Sequence, residues 1–295
     1  MLNTLKELCA LSGVSSWEDE TRAFIRAQAE PYADSIRTDA MGNLIVFKKG
    51  RKATGDRLLL SAHMDEVGLM ITRVEDDGTL RFDSVGGIDR RVLMGKRVYV
   101  GPHRIPAVIG SKPIHLTTKE ERRSVPKMTE LYLDMGAENR EAAEKLVELG
   151  DVAVFDPECV EFGSGLLKAK AIDDRVGCAV MLELLKEELP MDCTFAFSTQ
   201  EEVGTRGAFA YAFSVHPEIA LVVEGTTASD IPGTPEHMKV CAPGLGPVIP
   251  FMDGGTIYDR GLFELLRRLA EVKRQFGCRD WFRASADDEN DIAIL

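Results

Sequence analysis

Between Leu58 and Gly68 the chain runs LLLSAHMDEVG, and this stretch limits the folds open to it more than any other. Leu58–Leu60 is a short apolar run without polar alternation, the pattern of a strand buried on both faces. Asp56 and Arg57 precede it; Ser61, His63, Asp65 and Glu66 break it off. A strand of that kind belongs in an α/β sheet, and such sheets carry their chemistry at the carboxyl ends of the strands. His63 and Asp65 are two apart. Either they share a face of an extended chain, or Asp65 orients the ring from behind, since a carboxylate on one ring nitrogen fixes the tautomer and raises the basicity of the other. A capped strand end with a satisfied histidine is the plain alternative, and this stretch alone does not separate the readings.

The rest of the chain fits an α/β frame with one interruption. Ser16 followed by Asp19 reads as an N-cap with an acidic first turn; Phe24, Ile25 and Ala29 give part of an apolar face, and Pro31 ends it. Ile36–Thr38 and Leu44–Phe47 read as strands about the turn Met41-Gly42-Asn43. From Leu69 to about Leu167 the texture changes to short alternating runs, LMITRV, LRFDSV, KRVYVG, PAVIG and ELYLDMG, punctuated by Gly and Pro as in a small β-barrel or sandwich. One helical piece, Glu138 to Leu149, interrupts them. After Lys168 the α/β texture returns: a helix from Arg175 to about Glu187 with Val176, Val180, Leu182 and Leu185 on its apolar side, the strand CTFAFST, a helix from Thr205 to Phe213, and the strand IALVVE. A helix from Tyr258 to about Lys273 follows. The expected organisation is an α/β domain of residues 1–68 and 168–295, with residues 69–167 inserted as a β module.

Carboxylates gather where that frame predicts them. Asp173-Asp174 precedes a helix and could simply cap it. Glu201-Glu202 ends the CTFAFST strand; on an extended segment the two point to opposite sides, so one can meet a metal while the other faces substrate. Glu224 ends IALVVE in the same way. Neighbouring carboxylates beside a core strand are costly unless paired or metal-bound. Hard carboxylates with an imidazole suit Zn, Mn or Co, and a shared aspartate suits two such ions. The six cysteines are scattered, with no CxxC pair. They read as reduced, mostly buried thiols of a cytoplasmic protein rather than as disulfides or a zinc knuckle.

With 36 basic against 48 acidic residues, a net charge of -12 and no long basic run, the chain is not expected to present a phosphate-tracking surface or to bind nucleic acid. No run approaches the ~20 apolar residues of a membrane span, and the amino terminus lacks a signal-peptide layout.

SAHMDEVG, KAIDDRVG, STQEEVGTRGA and VVEGTTASDIPG occur in this order, with GSKPIHL between the first two. Together they resemble the TET-type (glutamyl) aminopeptidases, peptidase family M42, over most of the chain to about Ala270. The resemblance implies an α/β fold: a helix-flanked, mostly parallel sheet of a dinuclear metallo-aminopeptidase, with an inserted small β-barrel domain that drives assembly. It puts the first metal-binding histidine on His63 and the aspartate that orients it on Asp65. The bridging aspartate falls on Asp173, the general base on Glu201, and the remaining carboxylate ligands on Glu202 and Glu224. Two divalent ions per subunit (Zn or Co, or Mn), short peptide substrates, and homo-oligomers from dimers to a twelve-subunit shell are implied with them. A deacylase or other amidohydrolase on the same site, or an inactive scaffold subunit, are the rival readings.

One departure bears on the second ion. The family supplies a further histidine on a late strand after a Gly-rich segment. Here the segment QFGCRDWFRASADDENDIAIL has neither histidine nor Gly-rich turn. The expectation is fewer than two ions per subunit, impaired activity, and an apolar sheet edge left uncovered. His103, His115, His216 and His237 read as structural or surface residues.

Overall fold

The computed structural model describes residues 1–53, 58–239, 241 and 247–275. Helices α1 (Leu2–Ala10) and α2 (Asp19–Ala29) lead into strands β1 (Ser35–Thr38), β2 (Leu44–Lys48) and β3 (Leu58–His63). Then come β4 (Gly68–Val74), β5 (Leu80–Val85), β6 (Arg97–Val100), β7 (Ile105–Gly110) and β8 (Tyr132–Asp134), the short helix α3 (Arg140–Glu144), and β9 (Val152–Phe155). A hairpin of β10 (Val160–Phe162) and β11 (Leu166–Lys168) leads to α4 (Ile172–Lys186), β12 (Cys193–Ser198), α5 (Arg206–Val215), β13 (Ile219–Val222) and α6 (Arg260–Gln275).

The main sheet has the order β1-β2-β12-β3-β13. Its chemistry-bearing half is parallel, β12 and β13 flanking β3, while β1–β2 and β2–β12 are antiparallel. The sheet is therefore mixed, because the tight turn after β1 returns the chain as an antiparallel hairpin that no helix crosses. Period-two alternation sorts the two faces. Leu60, Ala62, Phe195 and Phe197 face the core shared with α1, α2 and α4, whereas Leu59, Ile45 and Ala196 face Tyr211 of α5. Helices thus cover both sides, as the apolar run of β3 requires. β13 is the last strand of the sheet among the described residues, and Ile219 and Val222 on it are exposed.

Strands β4 to β9 close into a six-stranded barrel in the order β4-β5-β8-β7-β6-β9. Leu69, Ile71, Phe82, Val98 and Ile109 fill it from alternating positions. The helical piece expected over 138–149 is only α3, capped by Asn139, whose side chain accepts the Ala142 N–H at 3.0 Å. The cap expected at Ser16 is also absent. Ser16 has φ of 73°, and Glu18 stands at the start of α2 with its carboxylate turned inward. Cys9, Cys178 and Cys193 are buried free thiols; Cys159 is free and half-buried. Cys278 and the rest of the chain beyond Gln275 lie outside the described residues, as do Asp56 and Arg57. No described helix is long and apolar enough to cross a membrane.

α4 buries Cys178, Met181, Leu182 and Leu185, while Val176 and Val180, expected on the same face, are only partly covered. The helix is rotated so that Gly177 meets the sheet: a Cβ there would stand 2.4 Å from the Val223 carbonyl oxygen and 2.5 Å from the Asp174 carboxylate. Gly177→Ala is accordingly expected to cost about 1–3 kcal/mol, the usual range for overpacking, read as a lower urea midpoint at unchanged m-value.

Candidate metal centre

Three parallel strands deliver the centre at their carboxyl ends. β3 ends on His63; β12 is followed by the turn carrying Glu201 and Glu202; one residue beyond β13 stands Val223, then Glu224. The fourth contribution comes from the start of α4, where Asp173 and Asp174, joined by a cis peptide bond, depart from helical geometry. The two aspartates divide the work that sequence reasoning left open. Asp174, fully buried, acts as the cap, accepting the Gly177 N–H at 2.9 Å and the His63 N–H at 3.1 Å. Asp173 is left to point at the imidazole.

His63 Nε2 lies 3.0 Å from Asp173 Oδ1, 3.4 Å from Glu224 Oε1 and 3.8 Å from Glu201 Oε2. One ligand atom each from His63, Asp173 and Glu224 fall within 4.8 Å of one another, the spacing of groups that could share a cation. The donor set fits a divalent transition ion, being one imidazole and hard carboxylates with no thiolate. The other ring nitrogen is occupied: Nδ1 is 3.1 Å from the Asp65 carbonyl oxygen and 3.4 Å from the Asp65 carboxylate. That contact leaves Nε2 as the free lone pair once Nδ1 carries the proton.

Glu202 is not in this cluster. With Asp173 and Ile172 it lines an adjoining cavity of about 280 Å³ that also meets Glu66 and Lys170. Nor is the Glu201-Glu202 pair extended, as the alternation argument assumed. Gln200 has φ of 54°, and the chain turns, so that both backbone amides face Asp65. Asp65 is a hub: its Oδ1 accepts the Glu201 N–H at 3.0 Å, and its Oδ2 accepts the Glu202 N–H at 3.2 Å and the Ser15 hydroxyl at 2.5 Å. Ser15, Glu18 and Asn43 were invisible as site residues in the sequence, where no local pattern singles them out. Only the excess of buried polar side chains could have pointed to them, and that requires the fold. His103, His115, His216 and His237 are all exposed and outside the cluster.

Electrostatics match a pocket built for a cation. Burial pushes the Glu202 carboxyl up to about 7, with the His63 charge pulling the other way and Asp173 and Asp65 adding to the rise. Burial likewise raises Glu201 and Glu224, in both cases against the pull of His63. Burial alone would depress the imidazole; the carboxylates of Asp173, Asp65 and Glu224 reverse this and hold it well above its ordinary value. The ion-free folded chain thus keeps protons that the unfolded chain has released near pH 4.5. The sign follows from linkage: the stability that the Glu202 and Glu224 carboxyls contribute is fully present below about pH 4.5 and is lost as pH rises through about 7 for Glu202 and about 8 for Glu224. A cation displaces the protons, so the gain in melting temperature on adding Zn²⁺ or Co²⁺ is expected to grow between about pH 5 and 8. A gain independent of pH in chelator-stripped protein would contradict this.

A family model described as M42 glutamyl aminopeptidase matches residues 42–275. The glutamyl aminopeptidase of Lactococcus lactis is 30% identical over 288 residues, covering 93% of this chain and 80% of that protein. Among solved structures, an aminopeptidase from the archaeon Desulfurococcus kamchatkensis superposes with a TM-score of 0.90 at 34% identity, over 98% of this chain and 80% of that one. The TET1 peptidase of Pyrococcus horikoshii, which can assemble into a tetrahedron or a large octahedral shell, gives 0.83 at 33% identity, over 98% and 86%.

Proposed function

The chain belongs to the M42 glutamyl aminopeptidase family, and on that premise we propose that it is a metal-dependent aminopeptidase releasing amino-terminal residues from short peptides. The observation that carries the reading is His63, anchored at Nδ1 by Asp65 while Nε2 meets Asp173, Glu201 and Glu224. His63, Asp173 and Glu224 would hold the first divalent ion, Zn or Co, with Mn as a further candidate. Glu202 and the shared Asp173 would serve a second, which the segment after Gln275 supplies with no histidine. A bound ion contributes Lewis-acid polarisation of the scissile carbonyl and a more acidic water. The remaining work falls to the chain. Asp65 holds the ring's orientation and tautomer. Glu201, raised by burial, accepts a proton from the attacking water and returns it to the leaving amine.

The reading assigns residues 1–68 and 168–295 to the catalytic domain and 69–167 to an assembly module. The apolar runs of the module, such as Leu69–Ile71 and Ala107–Ile109, contribute mainly to the barrel's own interior. Val92, Met94, Val108, Ile114 and Leu116 are among the large apolar residues the module leaves exposed. This set supports self-association, and a monodisperse monomer in light scattering at micromolar concentration would remove it. The buried free thiols are compatible with a cytoplasmic setting.

The test is metal analysis of the purified chain beside assays on aminoacyl chromogenic substrates and their N-blocked counterparts. Hydrolysis of the free-amine substrates, abolished by chelation, is expected. Turnover of blocked substrates alone would assign a deacylase instead.

A further inference from the structure

Four consecutive backbone amides in the turn after β12 each donate to a side-chain oxygen from a distant part of the chain. Thr199 N–H reaches Asn43 Oδ1 at 3.0 Å and Gln200 N–H reaches Glu18 Oε1 at 3.2 Å. Glu201 and Glu202 N–H reach the two oxygens of Asp65 at 3.0 and 3.2 Å. A turn leaving a buried strand has no ladder partner for these donors, so the acceptors decide its course.

Glu18 is the least expected of them. It is 3% exposed, and no cationic side chain pairs with it among the described residues. Its Oε1 also accepts the Ser16 N–H at 2.7 Å, so one oxygen clamps the N-terminal loop to a turn 182 residues away. A carboxylate buried against amides alone is unfavourable unless its hydrogen bonds fix something that matters. Both backbone segments it holds contain a non-glycine residue in the left-handed region, Ser16 at 73° and Gln200 at 54°, conformations that persist only where surrounding contacts impose them.

We propose that Glu18 is a positioning residue for Glu201 and Glu202, its Oε1 setting the backbone of the turn from which both carboxylates project. The inference rests on the aminopeptidase reading of the site and extends it to a side chain that touches neither substrate nor ion. It distinguishes acceptor from charge: glutamine keeps an oxygen in the same place, whereas methionine fills the volume without one.

The experiment measures hydrogen exchange of peptides spanning residues 199–202 and steady-state kinetics of the Co²⁺-loaded full chain, with thermal midpoints recorded alongside. In Glu18→Met, exchange of those amides is expected to quicken about tenfold. Its kcat is expected to fall about tenfold with KM within about twofold, since a displacement of an ångström can cost up to ~10²-fold. Glu18→Gln is expected to bring both back to within about twofold of the parent. Should methionine prevent folding, Glu18→Asp, whose acceptor is withdrawn by one methylene, carries the same expectation as Glu18→Met. Unchanged exchange in the variant that lacks the acceptor overturns the clamp, and faster exchange with parental kcat overturns the positioning role. A parent chain with no aminopeptidase activity overturns the functional reading instead, while the exchange comparison still decides the clamp.

Discussion

Glu201→Gln is expected to lower turnover of an aminoacyl substrate by ~10²–10⁴-fold while leaving folding and ion content close to those of the parent. The carboxylate stands 3.8 Å from His63 Nε2, near the cluster yet not among its three closest donors, and its side chain is 30% exposed. A group that only ligated an ion would sit inside the cluster. One that only filled space would not be poised at its mouth, with burial lifting its pKa. Glutamine preserves the size and one oxygen acceptor but cannot carry the proton between water and leaving amine. The loss should therefore fall on kcat, with KM little changed. Full activity in the variant would move the proton transfer to another group, with Glu202 the nearest candidate.

Glu66→Ala is expected to cost about 3–5 kcal/mol of stability, the range found when one member of a buried ion group is removed. Glu66 lies within 2.7 Å of Lys170 Nζ and 3.3 Å of an Arg175 guanidinium nitrogen, and all three side chains are at most 7% exposed. Lys170 also donates to the Leu11 carbonyl, and Arg175 to the Leu8 carbonyl and the Thr21 hydroxyl. Without the carboxylate two buried cations face each other. Lys170, already held below its ordinary value chiefly by burial, can shed its proton; Arg175 cannot, and its Nε has no partner as it is. The network ties the end of β3 to the start of α4, so the lesion should also loosen His63 against Asp173. Urea denaturation checks it: a loss below about 1 kcal/mol would show that water or rearrangement compensates the cations.

The sequence by itself determined the strands of the main sheet and what stands at their ends. The unbroken apolar run of Leu58–Leu60 required cover on both faces, and α4 and α5 provide it. The alternation in CTFAFST placed Phe195 and Phe197 together on one face. The registration of polar residues at strand ends put His63, Glu201, Glu202 and Glu224 at one edge of the sheet, because parallel neighbours end on the same side. Local pattern sufficed for these because each depends on residues a few positions apart.

Tertiary structure decided what local pattern cannot encode. Whether Asp173 or Asp174 caps the helix depends on where β3 passes, since the His63 N–H takes up the Asp174 carboxylate and leaves Asp173 free. Whether Glu201 and Glu202 project from a strand or a turn depends on Asn43, Glu18 and Asp65, which lie 136 to 182 residues away in the chain. Hydrogen bonds are directional and short-ranged, so a buried oxygen selects its partner by position in space alone; the sequence names the oxygen, and only the folded chain brings an amide to it.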